Sequence, residues 1–66
     1  MHELEGYRGE KVNDCIDAIT QLSKSHGIDK INVMDPVYNL APIDNDNHRL
    51  NIRTDASGII LKFSIG

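Results

Sequence analysis

The chain has no tryptophan, a single cysteine and only three aromatic side chains, two Tyr and one Phe. A lone thiol cannot close an intramolecular disulfide, which removes the secreted, disulfide-stapled class of small domain. Without Trp the core must be assembled from Ile, Leu and Val, and with 66 residues at 39% hydrophobic content it is a small one. Such a core has no volume to spare for an enclosed substrate cavity, so a ligand site would be a surface groove or a boundary between subunits. The longest aliphatic run, Ile59-Ile60-Leu61, is far too short to cross a bilayer. The first residues carry Glu3 and Glu5 in place of the apolar stretch of a signal peptide. These absences predict one soluble, cytoplasmic domain over residues 1–66 that does not engage a membrane.

Catalytic signatures are missing too. There is no glycine-rich phosphate loop, no Cys-x-x-Cys pair and no glycine-framed nucleophile elbow. The expectation is a protein that is not an enzyme and carries no cofactor.

What is present begins with a hairpin pattern between His48 and Ile65. His48, Leu50, Ile52 and Thr54 alternate with polar neighbours, and Ile59, Leu61, Phe63 and Ile65 do the same on the far side of Asp55-Ala56-Ser57-Gly58. Period-two alternation marks a half-buried strand. Cross-strand partners share a face, so pairing Thr54 with Ile59 sets Ile52 against Leu61 and Leu50 against Phe63. That register leaves a four-residue loop in which Asp55 and Ser57 suit a type I turn and Gly58 supplies a positive φ on exit. A three-residue loop would set Arg53 opposite Leu61 and bury a charge, which excludes it on this reading.

Upstream, Val12, Cys15, Ile16, Ile19 and Leu22 form one stripe of 3.6-residue period and predict a helix over 9–26. Gly27 suits the left-handed position just past its end, with Ile28 folding back onto the stripe. Residues 1–9 read as an arm or a frayed helical turn, with Leu4 and Tyr7 able to fold back on the core. Residues 28–34 alternate as a strand, with Ile31 and Val33 on one face and Lys30, Asn32 and Met34 on the other. Asp35-Pro36 stops it. Val37–Leu40 is read as an extension or an extra strand, and 42–47 as a loop of Asx turns. The predicted fold is α+β: one N-terminal helix packed on a three-stranded antiparallel sheet, in α-β-β-β meander order.

Three constellations invite a chemical reading. Cys15 lies inside the apolar stripe, and the nearest imidazole on that face, His26, is eleven residues and roughly 16 Å along a helix away, so the thiol reads as a small hydrophobe. Ser23, His26 and Asp29 straddle a helix end with no oxyanion donors aimed at them. Asp44, Asp46 and His48 alternate and could present a metal, though three ligands from one loop fall short of a coordination sphere. A metal-dependent role at 44–48 is therefore the minor alternative.

Charge is the more informative feature. The net charge is −3, yet residues 47–66 hold three bases against one acid. In the register above, Arg49, Asn51, Arg53, Ile60 and Lys62 share the outer sheet face, which predicts a docking surface for an acidic protein partner. Nucleic-acid binding by this basic face is the weaker alternative, because single-strand readers stack bases on aromatics and this face has none. The last strand ends at Ile65-Gly66 with no charge to blunt its edge, so a homodimer joined at that edge is a further expectation if the strand is not central. Taken together, the residues predict a small non-enzymatic protein that binds and modulates or inhibits another macromolecule. By analogy of size alone, this is the build of phage- or mobile-element inhibitors of host defence, anti-CRISPR proteins among them.

Overall fold

The computed structural model describes residues 2–36 and 46–66. A 3-10 helix, His2–Tyr7, precedes the α-helix α1, Val12–Ser25, and three strands follow: β1, Lys30–Met34; β2, Arg49–Thr54; and β3, Ile60–Ile65. This is one helix plus a three-stranded sheet, an α+β fold. The expected extension at Val37–Leu40 and most of the 42–47 loop, including Asp44, lie outside the described residues.

α1 forms where the apolar stripe predicts it. Val12 and Ile19 are buried, while Cys15, Ile16 and Leu22 pack against the same core. It begins three residues later than 9–26 because the chain before it serves as sheet. Gly9 N–H donates to the Ile60 carbonyl and Ile60 N–H to that of Glu10, each at 2.9 Å, and Lys11 bridges to Ile59. Lys11 provides no side-chain cap. Instead the first free helix donor, Val12 N–H, reaches the Gly58 carbonyl at 2.9 Å, tying the helix start to the hairpin loop.

The helix stops as expected. Gly27 takes φ +80°, its N–H meets the Lys24 carbonyl, and Ile28 N–H meets that of Ser23, the paired bonds of a Schellman turn. Ile28 then drops into the core, which it shares with Leu4, Val12, Ile19, Leu50, Ile52 and Ile60.

The sheet departs from the predicted meander. Its order is β1-β2-β3, with β2 central; β2 and β3 run antiparallel, but β1 runs parallel to β2, with Ile31 beside Leu50 and Val33 beside Ile52. The reason is the connection. Fourteen residues separate Met34 from Arg49, whereas hairpin loops span about 2–5, and parallel neighbours need a crossover of a dozen or more. That length was the available signal against an antiparallel β1–β2 pair.

The hairpin is where it was expected, with a different register. Asp55 N–H donates to the Ile59 carbonyl at 3.0 Å, closing a loop of three residues rather than four. Asp55 Oδ1 accepts from Ser57 and Ile59 N–H, Gly58 N–H returns to the Asp55 carbonyl, and Gly58 has φ +83°. Thr54 therefore faces Ile60, not Ile59. Arg53 is not set opposite Leu61, the pairing that seemed to exclude this loop, although its Nε is still buried. A β-bulge between Thr54 and Arg53 absorbs Leu61, so Arg53 faces Lys62, Ile52 faces Phe63 and Leu50 faces Ile65. Two placements change as a result. Ile60 is a core residue, 1% exposed, and not part of the outer face; Leu61 leaves the expected inner row and is 45% exposed.

Candidate functional site

The residues expected to form the outer docking face divide into two groups at opposite ends of β2. Four residues at about 3.3 Å each separate Arg49 from Arg53 by roughly 13 Å, so they cannot act on one small ligand group. At the Arg49 end the polar groups turn inward on the chain. Arg49 Nε donates to the Gly66 carbonyl at 2.9 Å, Asn51 Nδ2 donates to the same oxygen at 2.7 Å, and Asn32 Nδ2 reaches Asn51 Oδ1 at 3.3 Å. Asn51 is only 5% exposed. It is a structural hydrogen-bonding hub, and its expected place on an open face is corrected.

At the other end, Arg53 and Lys62 are direct cross-strand partners. Like charges in this relation repel, by about 0.2–1 kcal/mol where opposite charges would attract. The described ion pairs are Arg8–Glu5, His26–Glu3 and Lys30–Asp46, and none of them includes Arg53 or Lys62. Arg53 Nε is buried with no hydrogen-bond partner, while Lys62 is exposed. Beside them runs a groove of about 230 Å³ walled by Met34, Pro36, Arg53, Thr54 and Leu61, with Asp35 and Asp55 also lining it. Asp55 Oδ1 holds the hairpin loop, accepting from the Ser57 and Ile59 N–H groups. Cation, neighbouring cation and exposed Leu61 thus sit together on one surface. Leu61 and Met34 were missed as neighbours of Arg53, since the bulge is what turns Leu61 outward.

Of the other constellations, Asp44 lies outside the described residues. Cys15 Sγ lies 3.3 Å from the Lys11 carbonyl, and burial first, then the Glu10 and Asp14 carboxylates, push its pKa up, away from a reactive thiolate. Ser23 Oγ is buried and unpartnered, out of reach of solvent. Among the described residues no group of three His, Cys, Asp or Glu side chains could hold a metal ion. Asp46 instead accepts from Lys30 Nζ at 2.7 Å and from His48 N–H at 2.9 Å, and His48 Nδ1 carries its proton toward the Gly27 carbonyl at 2.9 Å.

That Lys30–Asp46 pair links β1 to the residues entering β2 and has a pH signature. The Lys30 hydrogen bond, then the His48 N–H, hold the Asp46 carboxyl below its ordinary range. A depressed carboxyl contributes stability above its unfolded pKa, and that contribution is lost as pH falls through the folded value. Asp46→Asn should therefore lower the unfolding midpoint near neutrality, with the two proteins converging in acid. Parallel midpoint-versus-pH curves would show that the pair does not act this way.

No helix among the described residues is long and apolar enough to cross a membrane. Compared with protein-family models, with curated proteins and with solved structures, the chain matches none.

Proposed function

We propose that this protein acts by binding, and that it captures an acidic protein surface at the Arg53–Lys62 end of the outer sheet face. One observation carries the reading: two cations stand opposite each other across β2 and β3, neither of them in an ion pair among the described residues, beside an exposed leucine. A partner carboxylate placed between them removes a repulsion the free protein endures, and an apolar neighbour of that carboxylate covers Leu61. Charge steers the encounter while the apolar contact slows release. The site is small, so the partner must add contacts around it or the affinity is modest. Of the bases expected at this surface, Arg53 and Lys62 are the binding pair, and Arg49 supports the strand end.

In this reading the protein modulates or inhibits its partner in the cytoplasm, without catalysis. The narrower class, a phage- or mobile-element inhibitor of host defence such as an anti-CRISPR, remains an analogy of size.

The test compares affinity capture by the wild-type chain, by Arg53→Glu/Lys62→Glu and by a control reversing two bases elsewhere, Lys11→Glu/Lys24→Glu. Proteins retained by the wild type and the control but lost, about tenfold or more, from the double reversal identify the partner; a tenfold loss corresponds to about 1.4 kcal/mol. Equal retention by all three removes this surface from consideration. A gel shift with duplex or single-stranded DNA decides the nucleic-acid alternative, which predicts binding that falls steeply with salt.

A further inference from the structure

The sheet has two outer edges, one on β1 and one on β3. The edge of β3 is partly occupied. Gly9 and Glu10 exchange backbone bonds with Ile60, and Arg8 Nε donates to the Leu61 carbonyl at 3.0 Å. Beyond Leu61 that cover ends. Gly66 N–H turns toward β2, bonding the Arg49 carbonyl at 3.2 Å. By the alternation of an antiparallel ladder, Ser64 and Lys62 then also turn inward, while the N–H and C=O groups of Phe63 and Ile65 point out of the sheet. Among the described residues none meets them with a backbone hydrogen bond. Ile65 is also 50% exposed.

We infer that the Lys62–Gly66 edge pairs antiparallel with the same edge of a second copy, about a twofold axis through Ser64. Backbone parity selects this register. Only outward-facing residues can exchange bonds, which limits the axis to Phe63, Ser64 or Ile65. An axis at Phe63 requires the Leu61 carbonyl, which Arg8 already holds. An axis at Ile65 leaves Phe63 with no partner inside the strand. An axis at Ser64 sets Phe63 against Ile65 of the partner subunit and the reverse, using every free group of the edge.

Charge then favours β3 over β1. In this register Lys62 faces a glycine, Gly66 of the partner subunit. The matching pairing of β1 about Asn32 would place Asp29 opposite Asp35 of the partner subunit, like charges in contact, with Pro36 next to the edge. The side chains agree with the backbone. Cross-strand partners share a face, so the partner's Ile65 arrives beside Phe63, at the mouth of a notch of about 100 Å³ lined by Leu4, Glu5, Leu50, Phe63, Ser64 and Ile65. The joined sheet has six strands and buries the exposed isoleucine of each copy.

The axis supplies its own test. Ser64 is exposed and faces its own copy across the axis, so Ser64→Lys or Ser64→Glu puts like charges together there without touching the core. By sedimentation equilibrium up to millimolar concentration, the wild type should approach the mass of two chains. Each variant alone should stay at the mass of one chain with unchanged circular dichroism, and an equimolar mixture of the two should regain the mass of two. A wild type that remains at one chain throughout overturns the proposal. So does a dimer that Ser64→Lys leaves intact, and if Val33→Lys abolishes that dimer the interface is the β1 edge instead.

Discussion

Replacing Ile52 with Ala should remove 2–5 kcal/mol of stability, the range for truncating a fully buried aliphatic side chain. Ile52 is 0% exposed, lies on the central strand, and shares the core with Ile19, Leu50 and Ile60. A domain of this size holds in total about 3–10 kcal/mol, at roughly 0.05–0.15 kcal/mol per residue, so the loss is a large fraction of the whole. The informative control is its sheet neighbour. Val33 is paired with Ile52 and points to the same face, yet it is 40% exposed, whereas Ile31 on the same strand still packs against the core. Val33→Ala should cost under about 1 kcal/mol, since little apolar area leaves a buried environment. Urea unfolding followed by circular dichroism measures both. Equal losses at the two positions would mean that the core is not centred under β2.

The second large effect is conformational. Gly58→Ala should cost about 1–2 kcal/mol, the penalty for holding an L-residue in the left-handed region. Gly58 has φ +83°, and a Cβ built there meets nothing within 4 Å, so the cost is backbone strain without a clash. The position joins two parts of the fold: its N–H closes the hairpin loop on Asp55, and its carbonyl receives the first N–H of α1 from Val12. Strain at Gly58 is thereby transmitted to the helix start. Gly27→Ala, at φ +80° and equally open, should lose a similar amount at the helix end, whereas Gly6→Ala, with no positive φ, should be neutral or slightly stabilising. A chemically synthesised chain with D-Ala at position 58 isolates the cause, because D-alanine favours positive φ. It should restore wild-type stability, and a D-Ala chain as weak as the L-Ala variant would place the cost in something other than the backbone.

These two residues also mark where the fold was readable in advance. Gly27 and Gly58 are local signals, each interpretable from a few neighbours, and both took the positive φ expected of them. The apolar stripe from Val12 to Leu22 was equally plain, because a helix with one buried face repeats its hydrophobic residues at a fixed interval. The candidate site was legible only in part. The alternation set Arg53 opposite Ile60 and Lys62 opposite Asn51, whereas Arg53 and Lys62 face each other, Asn51 is buried among hydrogen bonds to Asn32 and Gly66, and Ile60 belongs to the core.

By itself, then, the sequence determined the helix and its stop, the existence of three strands and the place of the turn between the last two. All of these follow from interactions between residues close along the chain. Tertiary structure decided that Gly9–Lys11 serve the sheet instead of the helix, that Leu61 is set aside in a bulge and, beyond the signal in the length of the connection, that β1 lies parallel to β2. Each depends on pairing between distant segments, where a one-residue slip exchanges inside for outside. Alternation identifies the two faces of a strand, but it cannot say where the count skips a residue. That single skip brings Arg53 and Lys62 face to face and leaves Leu61 beside them.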